Sequence, residues 1–465
     1  MPRTLFDKIW DAHVVAELGD GAALIAIDRV FLHERTGAAA LKAMAERGRT
    51  VLDPARVFAV ADHIVDTRPG RPQLTAVPGG EAFILDTRDA ARAAGITMID
   101  VDDPEQGITH VISPELGIVV PGCTLVAPDS HTCTQGAFGA FAWGIGSSEA
   151  EHAIVTGTLR MRRPQTMRVR FEGALQAGVT AKDLMLALLA AHGAGGGAGY
   201  AIEFAGSAVE AMNVEARQTL CNMATEFAAV TALIAPDGKT FDYLAGRRYA
   251  LDQFEEPYWA TLRSDPEAVF DAELVLDAGA VAPMVSWGTS PAQSVAVDGR
   301  IPGSAALPSL DYVGLHAGDG LAGQRIDGAY IGSCTNGRLS DLRAAAAVLR
   351  GRRVAPGVTA LAVPGSQAVR RAAEAEGLDR VFADAGFEWR ESGCGLCFYA
   401  GGPTFAPGAR VMSSTNRNFE GRQGPGVRTH IASPATVAAS AVMGCIADPR
   451  ALAPLPFFKP EREFA

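Results

Sequence analysis

Cys394 and Cys397 stand two residues apart in the stretch Arg390-Glu391-Ser392-Gly393-Cys394-Gly395-Leu396-Cys397. No apolar period runs through it that would bury the thiols as packing residues. A tight turn containing glycine points both sulfurs to the same side, so the pair can chelate one metal centre. Zinc, a redox disulfide and an iron–sulfur cluster all use this spacing. Ligands elsewhere in the chain must decide between them.

The elements that would position such ligands follow from hydrophobic period and turn residues. A strand over 57–61 ends on Asp62-His63, and in α/β folds catalytic side chains gather at carboxyl strand ends. The stretch 107–112 reads as a half-buried strand bearing His110, and 117–120 and 124–127 as two more, the last ending in Asp129-Ser130-His131. A helix through 219–226 would put Asn222 and Glu226 four apart on one face. Cys334 follows a strand ending near Ile331, and a strand over 410–414 leads to Arg417 and Arg422, whose guanidinium forks suit carboxylates or phosphates.

The intervening chain reads as helices over 5–18, 81–94 (closed by Gly95), 181–191 (amphipathic), 339–349 (capped by Asn336 or Ser340) and 366–376. A helix capped by Ser147 or Ser148 runs to 159 with His152 as a structural residue, and a last helix opens at Ser433-Pro434 and ends at 443. Strands are expected at 23–27, 96–101, 167–173, 358–363 and 380–384, and residues 237–295 as helices and a linker. Gly136 to Gly146 is small and apolar, suited to close backbone approach. The glycine run 193–199 follows a helix and precedes a strand, the reverse of a dinucleotide fingerprint.

A chain of 465 residues holds two to four domains, and its 51 glycines and 27 prolines fit an α/β protein with many short connections. The net charge of −11 argues against a nucleic-acid partner and leaves room for a small anionic substrate met by local cations. No signal-peptide pattern opens the sequence, and no apolar run approaches the roughly 20 residues of a membrane helix. Seven cysteines, an odd number, do not form a disulfide framework; the expectation is a cytoplasmic enzyme with reduced thiols.

Several blocks occur in a recognisable order: Asp129-Ser130-His131-Thr132 with Gly136-Ala137-Phe138-Gly139; Cys221-Asn222-Met223; Ile331-Gly332-Ser333-Cys334-Thr335-Asn336; Cys394 with Cys397; and Asn416-Arg417-Asn418-Phe419 with Gly421-Arg422. Together they resemble the aconitase family of iron–sulfur hydro-lyases, from residue 5 to residue 448, and most closely its two-subunit branch acting on 2-alkylmalates. The resemblance implies three α/β/α domains (1–165, 166–290 and 291–465) around a cluster, without the family's swivelling fourth domain. It implies one [4Fe–4S] cluster per chain on Cys334, Cys394 and Cys397, with one iron not ligated by protein. Cys123, Cys133, Cys221 and Cys445 match no ligand position and are expected as buried small side chains.

By the same carry-over Asp62–His63, His110 with Asp129, and His131 with Glu226 resemble the family's carboxylate–imidazole pairs. Ser130, Asn222, Asn416, Arg417 and Arg422 would hold substrate. The implied reaction is dehydration and rehydration of a 2-hydroxy dicarboxylate: 2-isopropylmalate, or another 2-alkylmalate such as citramalate, methylmalate or dimethylmalate. A small subunit would carry the swivelling domain and its serine base, so this chain alone is expected to be inactive. Ala39, Ile64, Asp66, Gly395-Leu396 and 398–402 depart from the family's usual residues, and the departures are expected near the cluster or substrate. A zinc or thiol-redox protein built on Cys394 and Cys397 leaves Cys334 and the paired histidines unexplained.

Overall fold

The computed structural model describes residues 2–250 and 256–452. Parts of two expected units, 251–255 in the 237–295 stretch and 453–465 at the end of the third, lie outside the described residues. The architecture is mixed α/β, with three parallel sheets that follow one another along the chain.

The first sheet runs Thr97–Ile99, Val57–Val60, Arg29–His33, Thr124–Ala127, Phe141–Gly144, all parallel. The third runs Phe387–Trp389, Thr359–Ala362, Gly328–Ile331, Arg410–Ser413, Arg428–Ile431, again all parallel. In both, the chain builds outward from the central strand and then returns to its other side. Each sheet therefore has a topological switch point beside its first strand, where the exit loops diverge and leave a crevice. The second sheet, Thr231–Leu233, Tyr200–Ala205, Gln165–Glu172, Ala272–Asp277, is parallel and four-stranded.

Within the first and third sheets the strands Arg29–His33, Val57–Val60, Thr124–Ala127 and Gly328–Ile331 are buried along their whole length, on both faces, as the apolar character of their sequences reflects. One hydrophobic core joins the first two sheets through Phe31, Phe58, Phe138, Phe171 and Phe204. A second packs around the third sheet with Ile331, Leu342, Phe382 and Met412, and takes in Ile108 and Val111.

Gly136 makes the junction of the first two sheets possible. A Cβ there would stand 1.6 Å from the Ala232 carbonyl oxygen, so only a hydrogen lets the 3₁₀ turn Thr132–Phe138 press on the edge strand of the second sheet.

Several expected elements differ. The helix over 5–18 stops at His13; Val14–Gly19 is a strand paired antiparallel with Ala22–Ala26 around a turn with positive φ at Gly19, Asp20 and Gly21. Residues 117–120 are turn, with Gly117 at φ 74°. The helix after Gly146 is capped by that glycine and the Glu149 carboxylate, not by a serine, and ends at Thr156 against a left-handed Gly157. Thr158–Arg162 is instead a strand paired with Ala22–Ala26.

Residues 380–384 belong to the helix Leu378–Ala385, whose buried Leu378, Phe382 and Ala385 follow a helical period. The helix Leu339–Leu349 is capped at Arg338, whose N–H donates to Asp341, rather than at Asn336 or Ser340. The helix Ala181–His192 is not simply amphipathic, because Lys182 and Asp183 are both fully buried on it.

The most consequential difference is at 107–112. This is not a strand: Thr109–Glu115 is a helix, and its first N–H donates 2.8 Å to the Asp62 carboxylate. The anion at the helix N-terminus favours the helical state over the extended one. His110 thereby sits on a first helical turn.

Candidate active site

Asp62 and His63 leave the Val57–Val60 strand, and Asp129, Ser130 and His131 leave Thr124–Ala127. Cys334 leaves Gly328–Ile331, while Asn416 and Arg417 leave Arg410–Ser413. The first and third sheets thus direct carboxyl ends at one space, a cavity of about 340 Å³. His63, His110, Asp129, His131, Cys334, Cys394, Cys397, Arg417 and Arg422 all line it.

The carboxylates and imidazoles form one connected network. His63 Nδ1 lies 2.5 Å from Asp62 Oδ1 and its Nε2 lies 2.9 Å from Asp129 Oδ2. His110 Nε2 is 3.0 Å from Asp129 Oδ1, which also accepts the His131 backbone N–H at 2.7 Å. His131 Nε2 stands 2.9 Å from Glu226 Oε1, and Glu226 in turn meets Arg417 Nε at 2.8 Å. Arg417 also donates to Ser130 Oγ at 2.9 Å.

Burial opposes every charge here, and the partners outweigh it. Against burial, Asp62 and Asp129 hold His63 well above the usual histidine value. Against the same burial, His110, His131 and His63 hold Asp129 well below the usual carboxylate range, and His131 and Arg417 lower Glu226.

Asn222 and Glu226 do not share a helix face. The helix Val214–Met223 ends between them and Glu226 falls on a 3₁₀ turn closed by Ala228 in the left-handed region. The break lets Glu226 reach His131 while Asn222 Nδ2 points to Cys334 Sγ at 3.3 Å.

The three cysteines come from two backbone devices, one for Cys334 and one shared by Cys394 and Cys397. Ser333, immediately before Cys334, sits at φ 79°, a conformation that a non-glycine residue adopts only under strain. Gly393 and Gly395 flank Cys394, and a Cβ on Gly395 would meet the Tyr330 hydroxyl at 2.7 Å. The donor set fits an iron–sulfur cluster: three buried thiols on one cavity, with amide and guanidinium N–H groups aimed at sulfur. Asn416 Nδ2 reaches Cys334 Sγ at 3.5 Å and Arg422 Nη2 reaches Cys397 Sγ at 3.6 Å. Burial pushes the Cys334 and Cys394 thiols up, so iron would have to displace their protons. Of the remaining cysteines, Cys123, Cys133 and Cys221 are buried as expected, whereas Cys445 is half-exposed.

Four neighbours of the site escaped the sequence reading. His33 stacks on His63 with ring centroids 4.0 Å apart, and burial beside the His63 charge lowers it to about 4. Glu34 accepts the backbone N–H groups of Asp62 and Ile64 at 3.1 and 2.7 Å, fixing the turn that carries His63; burial and Asp62 raise it to about 7. Lys182, fully buried, donates to the carbonyls of Ser414 and Thr415 at 2.6 Å each, just before Asn416, and burial lowers it to about 7. Arg35 lines the cavity beside Phe398. The apolar run Val30-Phe31-Leu32 signals the strand Arg29–His33, and so the exit holding the first two; nothing local marks Lys182.

His33, Glu34, Asp62 and His63 are close enough together to ligate a metal ion. Their atoms are already engaged: His33 Nε2 with the Pro128 carbonyl, Glu34 with backbone N–H groups, and Asp62 with His63, which makes this a hydrogen-bonded network. Of the departures expected near substrate, Ile64, Asp66, Gly395, Leu396, Tyr399, Ala400 and Gly402 line a separate recess, and only Phe398 reaches the main cavity.

Residues 7–444 match the family model described as "Aconitase family (aconitate hydratase)". The chain belongs to the aconitase family. Among its relatives, a Bradyrhizobium diazoefficiens protein named 3-isopropylmalate dehydratase large subunit 1 is 51% identical over 464 residues, covering 97% of each chain. A Roseiflexus castenholzii protein named 3-isopropylmalate dehydratase large subunit is 46% identical over 474 residues, covering 97% of this chain and 99% of that one.

Proposed function

We propose that the chain is the large subunit of a hydro-lyase of leucine biosynthesis. It interconverts 2-isopropylmalate and 3-isopropylmalate by dehydration and rehydration through 2-isopropylmaleate. The observation that carries this reading is one cavity lined jointly by three thiols, three imidazoles paired with carboxylates, and two arginines, in a chain about half identical to relatives of that name. No helix among the described residues is long and apolar enough to cross a membrane, and no described cysteine is in a disulfide; we propose a cytoplasmic location. We also propose unit boundaries at 165/166 and 290/291, on the ground that each range holds one parallel sheet, with only Gln165, the first residue of the Gln165–Glu172 strand, falling on the other side of a boundary.

Cys334, Cys394 and Cys397 would hold the cluster. When bound, a [4Fe–4S] cluster with one iron free of protein thiolate supplies a Lewis acid for the substrate's hydroxyl and carboxylate. The chain's own residues do the rest. Arg417 and Arg422, with Asn416 and Ser130, grip the carboxylates, and Glu226 fixes the Arg417 fork. His63, kept protonated between Asp62 and Asp129, and the neighbouring His110 and His131 form the acid side of the site, poised to protonate departing hydroxide. Asn222 and Asn416 orient the Cys334 sulfur. The base for the carbon-bound proton is assigned to a serine of the small-subunit partner.

The test is anaerobic reconstitution of the chain with iron, sulfide and the small subunit, followed by assay on 2-isopropylmalate, citramalate and dimethylmalate. Preference for 2-isopropylmalate is expected. Equal rates on the small-alkyl analogues would sink the substrate assignment, and a Cys334→Ala complex as active as the parent would sink the cluster assignment.

A further inference from the structure

Three guanidinium groups line the cavity, and they differ in how many donors are free. Arg417 spends its Nε on Glu226 and one Nη on Ser130. Arg422 sends one Nη to Cys397 Sγ, while its buried Nε has no partner among the described residues. Arg35 has no hydrogen bond or ion pair from its guanidinium among the described residues. It is held by aromatic faces alone, 5.3 Å from the Phe83 centroid and 5.7 Å from that of Phe398. Stacking of this kind fixes the plane of a guanidinium without consuming an N–H.

Phe398 is shared. The Arg422 guanidinium also lies 5.7 Å from its centroid, so one ring braces both cations. The ring itself packs 5.9 Å from His63, which ties the brace to the hydrogen-bonded network. Two like charges held against one ring, with no carboxylate paired to either among the described residues, repel each other, and a bound anion between them relieves that repulsion.

We propose that Arg35 is a third substrate-binding arginine, which shares with Arg422 one of the substrate's two carboxylates while Arg417, oriented by Glu226 and Ser130, takes the other. This rests on the 2-hydroxy dicarboxylate reading above. Arg35 leaves the exit of the Arg29–His33 strand, the central strand of the first sheet, whereas Arg417 and Arg422 come from the third. The substrate would therefore be clamped from both walls of the crevice.

The experiment uses the cluster-loaded complex with the small subunit, comparing parent, Arg35→Met and Arg35→Lys. Kinetics on 2-isopropylmalate are combined with calorimetric binding of malate, which carries the two carboxylates whatever the alkyl group. Arg35→Met is expected to raise KM and the malate Kd at least tenfold with kcat within threefold, and Arg35→Lys to restore part of the affinity. Unchanged malate affinity in Arg35→Met overturns the proposal. So does a loss that disappears at saturating small subunit, which would make Arg35 an intersubunit contact. A parent complex that does not turn over 2-isopropylmalate, yet loses malate affinity on Arg35→Met, keeps Arg35 and overturns the substrate reading instead.

Discussion

Asp129 answers to three histidines at once: the rings of His63 and His110, and the backbone N–H of His131. Removing its charge in Asp129→Asn should release His63 from one of its two counter-ions and lower kcat by about 10²–10⁴, the usual range for general acid–base groups. Steady-state kinetics of the complex checks this. The same network should set the pH dependence of stability. Asp129 is depressed, so its contribution is full above its unfolded value near 4 and fades as pH falls through the lower folded value. His63 is raised, so its contribution is full below about 6.5 and fades as pH rises through the higher folded value. Both are complete only between about pH 4 and 6.5. Melting temperatures across pH should accordingly show the gap from parent to Asp129→Asn closing on the acid side. The gap from parent to His63→Gln should close on the alkaline side. Gaps that stay constant with pH would contradict the charge assignments.

At the scale of elements, backbone contact sets the site as much as side chains do. The Thr132–Phe138 turn carries His131 at its start and must touch the second sheet for Glu226 to meet that histidine. Gly136→Ala would drive a methyl into the Ala232 carbonyl oxygen, and an overpacking cost of about 1–3 kcal/mol or more is expected as a lowered melting temperature. Gly238→Ala, with open space around it, is the control and should melt at or slightly above the parent. The strand over 57–61 and the helices over 81–94 and 366–376 were legible because β-branched runs, glycine stops and caps lie in the local sequence. The helix Thr109–Glu115 was not, because the carboxylate that caps it stands 47 residues earlier. Nor was the end of the helix Val214–Met223 before Glu226, whose C-cap Ala224 keeps right-handed backbone and so needs no glycine to announce it.

Across the whole molecule, two sheets of the same strand order set their carboxyl ends against one cavity, and the two hydrophobic cores hold them there. Asp62, His63, Asp129, His131 and Arg35 thus stand at exits of the first sheet, and Arg417 and Arg422 follow a strand of the third. In the proposed reading the proton-abstracting serine belongs to the partner. The cluster-loaded chain alone should therefore bind malate but turn over 2-isopropylmalate at least 10²-fold more slowly than the complex, an expectation checked by titrating small subunit into the assay. Full activity without it would place the base in this chain.

Sequence by itself determined which residues are candidates for the chemistry. Cysteine spacing, Asp-His pairs at strand ends and arginines in a glycine-rich loop are local patterns, and their order along the chain identified the family. The family resemblance already implied the pairs Asp62–His63, His110–Asp129 and His131–Glu226; only the tertiary structure decided that Asp129 joins the histidines of three segments, and that His33, Glu34, Lys182 and Arg35 stand behind or beside them. Those contacts depend on where strand exits meet across two sheets, and burial, which sets their charge, is a property of the packed molecule rather than of any stretch of chain.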